Sequence, residues 1–154
     1  MAFDITSIAQ TYKAENLRFS MEQERNIIRF NMNTKVSADV RFTARLVNPR
    51  TALFTTVLPM NIPEESRAAV SDYITRVNYT LLLGNFQIDL TDGEIGYRAT
   101  GVFEEETGMP GSVVMRLTYV GFSMFDKYMP GVFAIVYGGK TAADAFAEIN
   151  SKED

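Results

Sequence analysis

Histidine, cysteine and tryptophan are all missing from the 154 residues. Without histidine, imidazole acid–base catalysis and the histidine-containing triads are excluded. With cysteine missing as well, the ligand sets of nearly all zinc sites are excluded too. The lack of cysteine also removes disulfides and thiolate chemistry, which suits a reducing compartment. A basic cluster is lacking: the net charge is −4, with ten Lys/Arg against eight Asp/Glu over residues 1–83 and five against eleven over residues 84–154. Phosphate neutralisation supplies most non-specific nucleic-acid affinity, so neither nucleic acid nor an anionic membrane surface is expected as a partner. The longest apolar stretch, Met129 to Tyr137, falls short of the roughly 20 residues that cross a bilayer. Met1-Ala2-Phe3-Asp4-Ile5 lacks the basic-then-apolar pattern of a secretory signal. A cytoplasmic location is the resulting expectation.

Glycine is scarce in one place only, since all ten lie at or after Gly84. No linker accompanies that asymmetry, and one domain over residues 1–154 is expected. A chain of this length buries roughly 68–70 % of its unfolded surface, and 46 % hydrophobic residues are enough for a core.

The periodicities alternate in kind. Asp4 is placed to cap a helix carrying Ile5, Ile8, Ala9 and Tyr12. Leu17, Phe19 and Met21 then mark a strand, and Ile28, Phe30 and Met32 a second. Val36 through Leu46 gives a third, with Arg41, Thr43 and Arg45 on its other side, and Thr51 to Leu58 a fourth after an Asn48-Pro49-Arg50 turn. Pro63-Glu64-Glu65 opens a helix with Val70, Ile74, Val77 and Leu81 inward and Gly84 at its end. Asp92-Gly93 predicts a two-residue type I′ hairpin pairing Thr91 with Glu94, Leu90 with Ile95, Ile88 with Tyr97 and Phe86 with Ala99. Val113, Leu117, Val120, Met124, Phe125 and Tyr128 recur at helical steps; Pro130 is expected to kink that helix or start a new one. Gly138-Gly139 stops it, and Thr141 caps a last helix with Ala145, Phe146 and Ile149 inward. The fold class is α+β, an antiparallel β-sheet with helices packed on one face.

Candidate chemistry is sparse. Gly139-Lys140-Thr141 resembles the end of a phosphate loop, but Ala134 stands where the motif needs glycine and a helical pattern stands where it needs a strand. Asp89, Asp92 and Glu94 do not follow calcium-loop spacing and belong to the hairpin. Glu104-Glu105-Glu106, beside Gly and Pro, reads as a solvated loop. No catalytic residue, metal ligand or cofactor is expected. Arg29, Arg41 and Arg45 share the outward sheet face if the second and third strands pair. Two readings are open for them: a solvated face that discourages edge pairing, or a surface for an acidic peptide. Met109, Met115, Met124 and Met129 either fill the core or supply an adaptable surface.

Several stretches together resemble one family. They are Asn78-Tyr79, Gly84-Asn85-Phe86-Gln87-Ile88-Asp89-Leu90, Asp92-Gly93-Glu94-Ile95-Gly96-Tyr97, Met124-Phe125-Asp126-Lys127-Tyr128-Met129-Pro130-Gly131, and Tyr137-Gly138-Gly139 with Ala142 and Ala145. They are similar to the YbjN-domain proteins, described as bacterial sensory transduction regulators. The resemblance covers residues 70–150 well, and the first half only in its order of elements. It implies a type III secretion chaperone-like fold, no enzymatic activity and no cofactor. A non-catalytic protein-binding or chaperone-like adaptor, dimeric in the manner of such chaperones, is therefore expected. The alternative is a sensory regulator with a small ligand between sheet and helices.

Overall fold

A computed structural model describes residues 2–151. Helix α1 (Ile5–Ala14) starts as expected: Asp4 and Ser7 form a capping box, and Ile5, Ile8, Ala9 and Tyr12 are buried. Strands β1 (Ser20–Glu22), β2 (Ile27–Met32), β3 (Val40–Asn48) and β4 (Thr51–Asn61) follow. Next come α2 (Arg67–Asn78), β5 (Asn85–Ile88), β6 (Glu94–Val102), α3 (Gly111–Gly138) and α4 (Ala142–Ser151). The six strands form one antiparallel sheet in the order β1-β2-β3-β4-β6-β5. One face carries the core: Ile28 and Phe30, Phe42 and Ala44, Phe54 and Leu58, Ile95 and Tyr97 are buried there with residues of all four helices. The architecture is α+β, with the helices on one side of the sheet.

Several expected boundaries move. The third strand starts at Val40 rather than Val36, because Asp39 takes a left-handed conformation at φ 54. Its approach is fixed by side chains instead: the Asn33 amide oxygen accepts from Asp39 N–H and the Asp126 carboxylate from Val36 N–H. The first strand shrinks to three exposed residues. Residues 64–66 form a 3₁₀ turn before α2, and α2 stops at Asn78, so Gly84 is not its terminus. Gly84 precedes β5 instead, at φ 78, where an added methyl would sit 2.5 Å from the Arg98 carbonyl oxygen.

The hairpin register is shifted by two residues: Phe86 lies opposite Tyr97 and Ile88 opposite Ile95. Only Gly93, at φ 81, has positive φ in the turn, so the type I′ geometry is not adopted. A longer loop replaces it. Gly93 N–H donates to the Asp89 carbonyl, the Asp89 carboxylate accepts from Thr91 N–H, and Asp92 accepts from Glu94 N–H. A shift of two preserves which face each residue occupies; the loss is Leu90, which leaves the sheet and is exposed.

Pro130 does not start a new helix, since α3 runs continuously for 28 residues with the proline inside it. Its buried stripe is rotated slightly from the expected one, with Val114 rather than Val113 inward. Gly139 caps it at φ 66, and Lys140 N–H returns to the Ala134 carbonyl, which satisfies an end-of-helix acceptor. Thr141 then caps α4 through Asp144 N–H, as expected.

Candidate functional site

The helices leave the second face of the sheet bare. Its composition follows from strand alternation, because every residue beside a buried one points the other way. Arg29 pairs with Thr43, Thr43 with Thr55, and Thr55 with Arg98. Arg41 and Arg45 stand two residues to either side of Thr43 on β3. Arg29, Arg41 and Arg45 therefore do share one exposed face, and Arg98 joins them. The four form a diamond around Thr43 and Thr55. Standard strand dimensions put Arg41 and Arg45 about 14 Å apart along β3 and Arg29 and Arg98 about 14 Å apart across three strand steps.

Between the arginines, Leu53, Thr55 and Val57 face outward and are half-buried, while Ile27 is only 6 % exposed. The face is thus an apolar and hydroxyl floor edged by guanidinium groups. Arginine stems are suited to lying along such a floor with their heads in water.

The charges are unequally occupied. Arg29 Nη1 reaches Glu22 Oε1 at 2.6 Å, and Arg25 approaches the other oxygen at 3.1 Å. The Arg29 hydrogen bond holds the Glu22 carboxyl below its ordinary range, with Coulombic help from both arginines. Among the described residues no carboxylate pairs with Arg41, Arg45 or Arg98. Three unpaired guanidiniums thus sit on one face of a chain whose net charge is −4.

Arg98 was missing from the sequence-based set, although Tyr97 and Ala99 already placed it outward. What alternation could not supply was the neighbour relation of β4 and β6, which brings it into line with Arg29. Arg67 was missed altogether. From α2 it donates to the Ile62, Leu90 and Thr91 carbonyls and so ties the 89–93 loop to the start of the helix. No sequence signal distinguishes it from a solvated helix residue.

The other candidates resolve into local chemistry. Lys140 pairs with Glu148, and its preceding glycines belong to the helix stop rather than to a loop after a strand. Asp89 accepts from the Thr91 hydroxyl, which holds its carboxyl below the usual range, with Thr91 N–H adding to the effect. Among the described residues no three Asp or Glu side chains gather closely enough to hold a metal ion. Among the described residues no helix is long and apolar enough to cross a membrane. Met129 is buried, and Met109, Met115 and Met124 pack against the core, so all four contribute to packing.

A concavity of about 470 Å³ lies between residues 80–83 and the side of α3. Its wall is held by Tyr97 Oη, which donates to the Leu83 carbonyl, and by the Asn78 side-chain amide, which exchanges hydrogen bonds of 2.8 and 3.1 Å with Phe86 N–H and C=O. That amide takes the place of a neighbouring strand at the β5 edge.

Comparison with known proteins adds one match. Residues 4–134 fit the YbjN family, whose description is "Putative bacterial sensory transduction regulator". The fit takes in the first half of the chain, where the resemblance had rested on the order of elements, and ends before Tyr137-Gly138-Gly139. No curated protein matches the chain.

Proposed function

The chain belongs to the YbjN family, and from that premise we propose that it is a non-catalytic regulator that binds an acidic segment of another protein on the bare face of its sheet. The observation that carries this reading is the diamond of Arg29, Arg41, Arg45 and Arg98 around a half-buried floor, three of its members lacking a carboxylate. Guanidinium groups match carboxylates in a bidentate fashion, and arginine is enriched where proteins meet. Four cations on a face some 14 Å across suit a short acidic segment better than a duplex, whose binding draws on many phosphate contacts. The reading agrees with the chaperone-like order of elements and with a cytoplasmic site of action. It requires no cofactor.

The test is recovery of partners from the native cell by the tagged protein and by an R41S/R45S/R98S variant. The proposal predicts a dominant acidic partner that wild type retains, that rising salt releases, and that the variant loses while its circular dichroism is unchanged. Equal recovery by both proteins would reduce the face to a solvated surface.

A second reading, the small-ligand regulator, is favoured by the cavity between residues 80–83 and α3. A metabolite co-purifying in native mass spectrometry would support it. Self-association is the remaining element of the proposal: Tyr79 and Leu82, 93 % and 103 % exposed in the segment after α2, offer a patch for an isologous contact. Sedimentation at micromolar concentration tests it, and a single monomeric species would refute it.

A further inference from the structure

The cavity beside α3 has a composition that selects its occupant. Arg116, Tyr119, Val120, Ser123, Met124 and Lys127 recur at three- and four-residue steps and so form one stripe of the helix. The stripe spans twelve residues, a rise of about 16 Å along the axis, and the facing wall is Leu81 and Leu83. The groove is therefore elongated and apolar in its middle, with Arg116 at one end and Lys127 at the other, and among the described residues no carboxylate lines it. Its wall is already built, since Tyr97 holds Leu83 and Asn78 holds the strand behind it. Among the described residues no carboxylate pairs with Arg116.

We propose that this groove binds a small apolar carboxylate, its chain along Val120, Met124 and the two leucines and its head on Arg116. The inference rests on the second reading above and names its ligand class. The volume lies in the range of small-molecule sites, which are mostly apolar with a few placed polar groups. A neutral amphiphile would keep the apolar contact and lose the charge-assisted hydrogen bond.

Octanoate and 1-octanol, below their aggregation limits, are the probes. Amide shifts on titration locate binding, and calorimetry gives affinity. Octanoate should bind saturably, shift residues 80–83 and 116–127, and bind at least about fivefold tighter than octanol, as one charge-assisted contact implies. Arg116→Gln should erase that preference while octanol binding stays, and Ser123→Trp, at an exposed position on the stripe, should block both. Equal affinity for the two probes, shifts confined to other surfaces, or no saturation would overturn the proposal. A dimer broken by Leu82→Ser, with octanoate excluded from it, would assign the groove to a second copy and overturn it as well. A co-purifying metabolite without octanoate binding would reject the apolar carboxylate while keeping the small-ligand reading, and neither result bears on the arginine face.

Discussion

A methyl group added at Gly131 would sit 2.2 Å from the Tyr73 hydroxyl, and one at Gly121 at the same distance from the Thr56 hydroxyl. These contacts show where α3 presses on α2 and on the sheet. Tyr73 Oη donates to the Tyr128 carbonyl at 2.7 Å across the same gap. Gly131→Ala should therefore destabilise by about 1–3 kcal/mol, the usual cost of overpacking, as read by urea denaturation. Gly138 has nothing within 4 Å of its would-be Cβ, so Gly138→Ala should instead stabilise by roughly 0.5–1 kcal/mol through helix propensity. The sequence could not separate these two glycines, because their difference lies in neighbours distant along the chain.

Burial raises the hydroxyl pKa of Tyr12 and Tyr73 and pushes that of Tyr97 up to about 12. A neutral form favoured by folding contributes stability that is complete below the unfolded value of 10.0 and is lost as pH rises toward the folded values. In an alkaline titration these three rings should ionise together with loss of the fold. Tyrosinate absorbance that reaches its full amplitude while far-UV dichroism is still native would contradict this.

At the scale of elements, the starts and apolar stripes of α1 and α4 were legible, because caps and stripes are local in sequence. Asp4 shows why: its carboxylate accepts from Thr6 N–H at 2.9 Å, and the Thr6 hydroxyl, foremost, holds its pKa below 3.8. Asp4→Ala should cost about 1 kcal/mol. Its effect should be complete above the unfolded value and fade as pH falls through the lowered one, measured by thermal melts against pH. The 89–94 loop was read less well. Gly93 was correctly placed at positive φ, but the closing hydrogen bonds come from Asp89, Asp92 and Arg67, and only the first two are near in sequence. Gly93→Ala would bring a methyl within 2.2 Å of the Ile62 carbonyl oxygen in addition to the conformational cost. A loss of about 1–3 kcal/mol or more is expected from strain alone, and an unchanged melting temperature would contradict the loop assignment.

For the molecule as a whole, alternation was enough to name the sheet, its helix-covered face and three of the four outward arginines. Strand order was not legible. The pairing of β4 with β6 depends on a crossover through α2, and only that pairing turns a row of arginines on two strands into a diamond spanning β2 to β6. The proposed function has this face, rather than the helical layer, meet an acidic partner. A photo-crosslinking amino acid placed at Thr55, in the middle of the diamond, and separately at Thr75, exposed on α2, tests it most directly in living cells. Crosslinks from Thr55 to an acidic protein, reduced on the order of tenfold by R41S/R45S/R98S as exposed ion pairs of ~0.2–1 kcal/mol each imply, are the predicted result. Capture from Thr75 but not from Thr55 would contradict it.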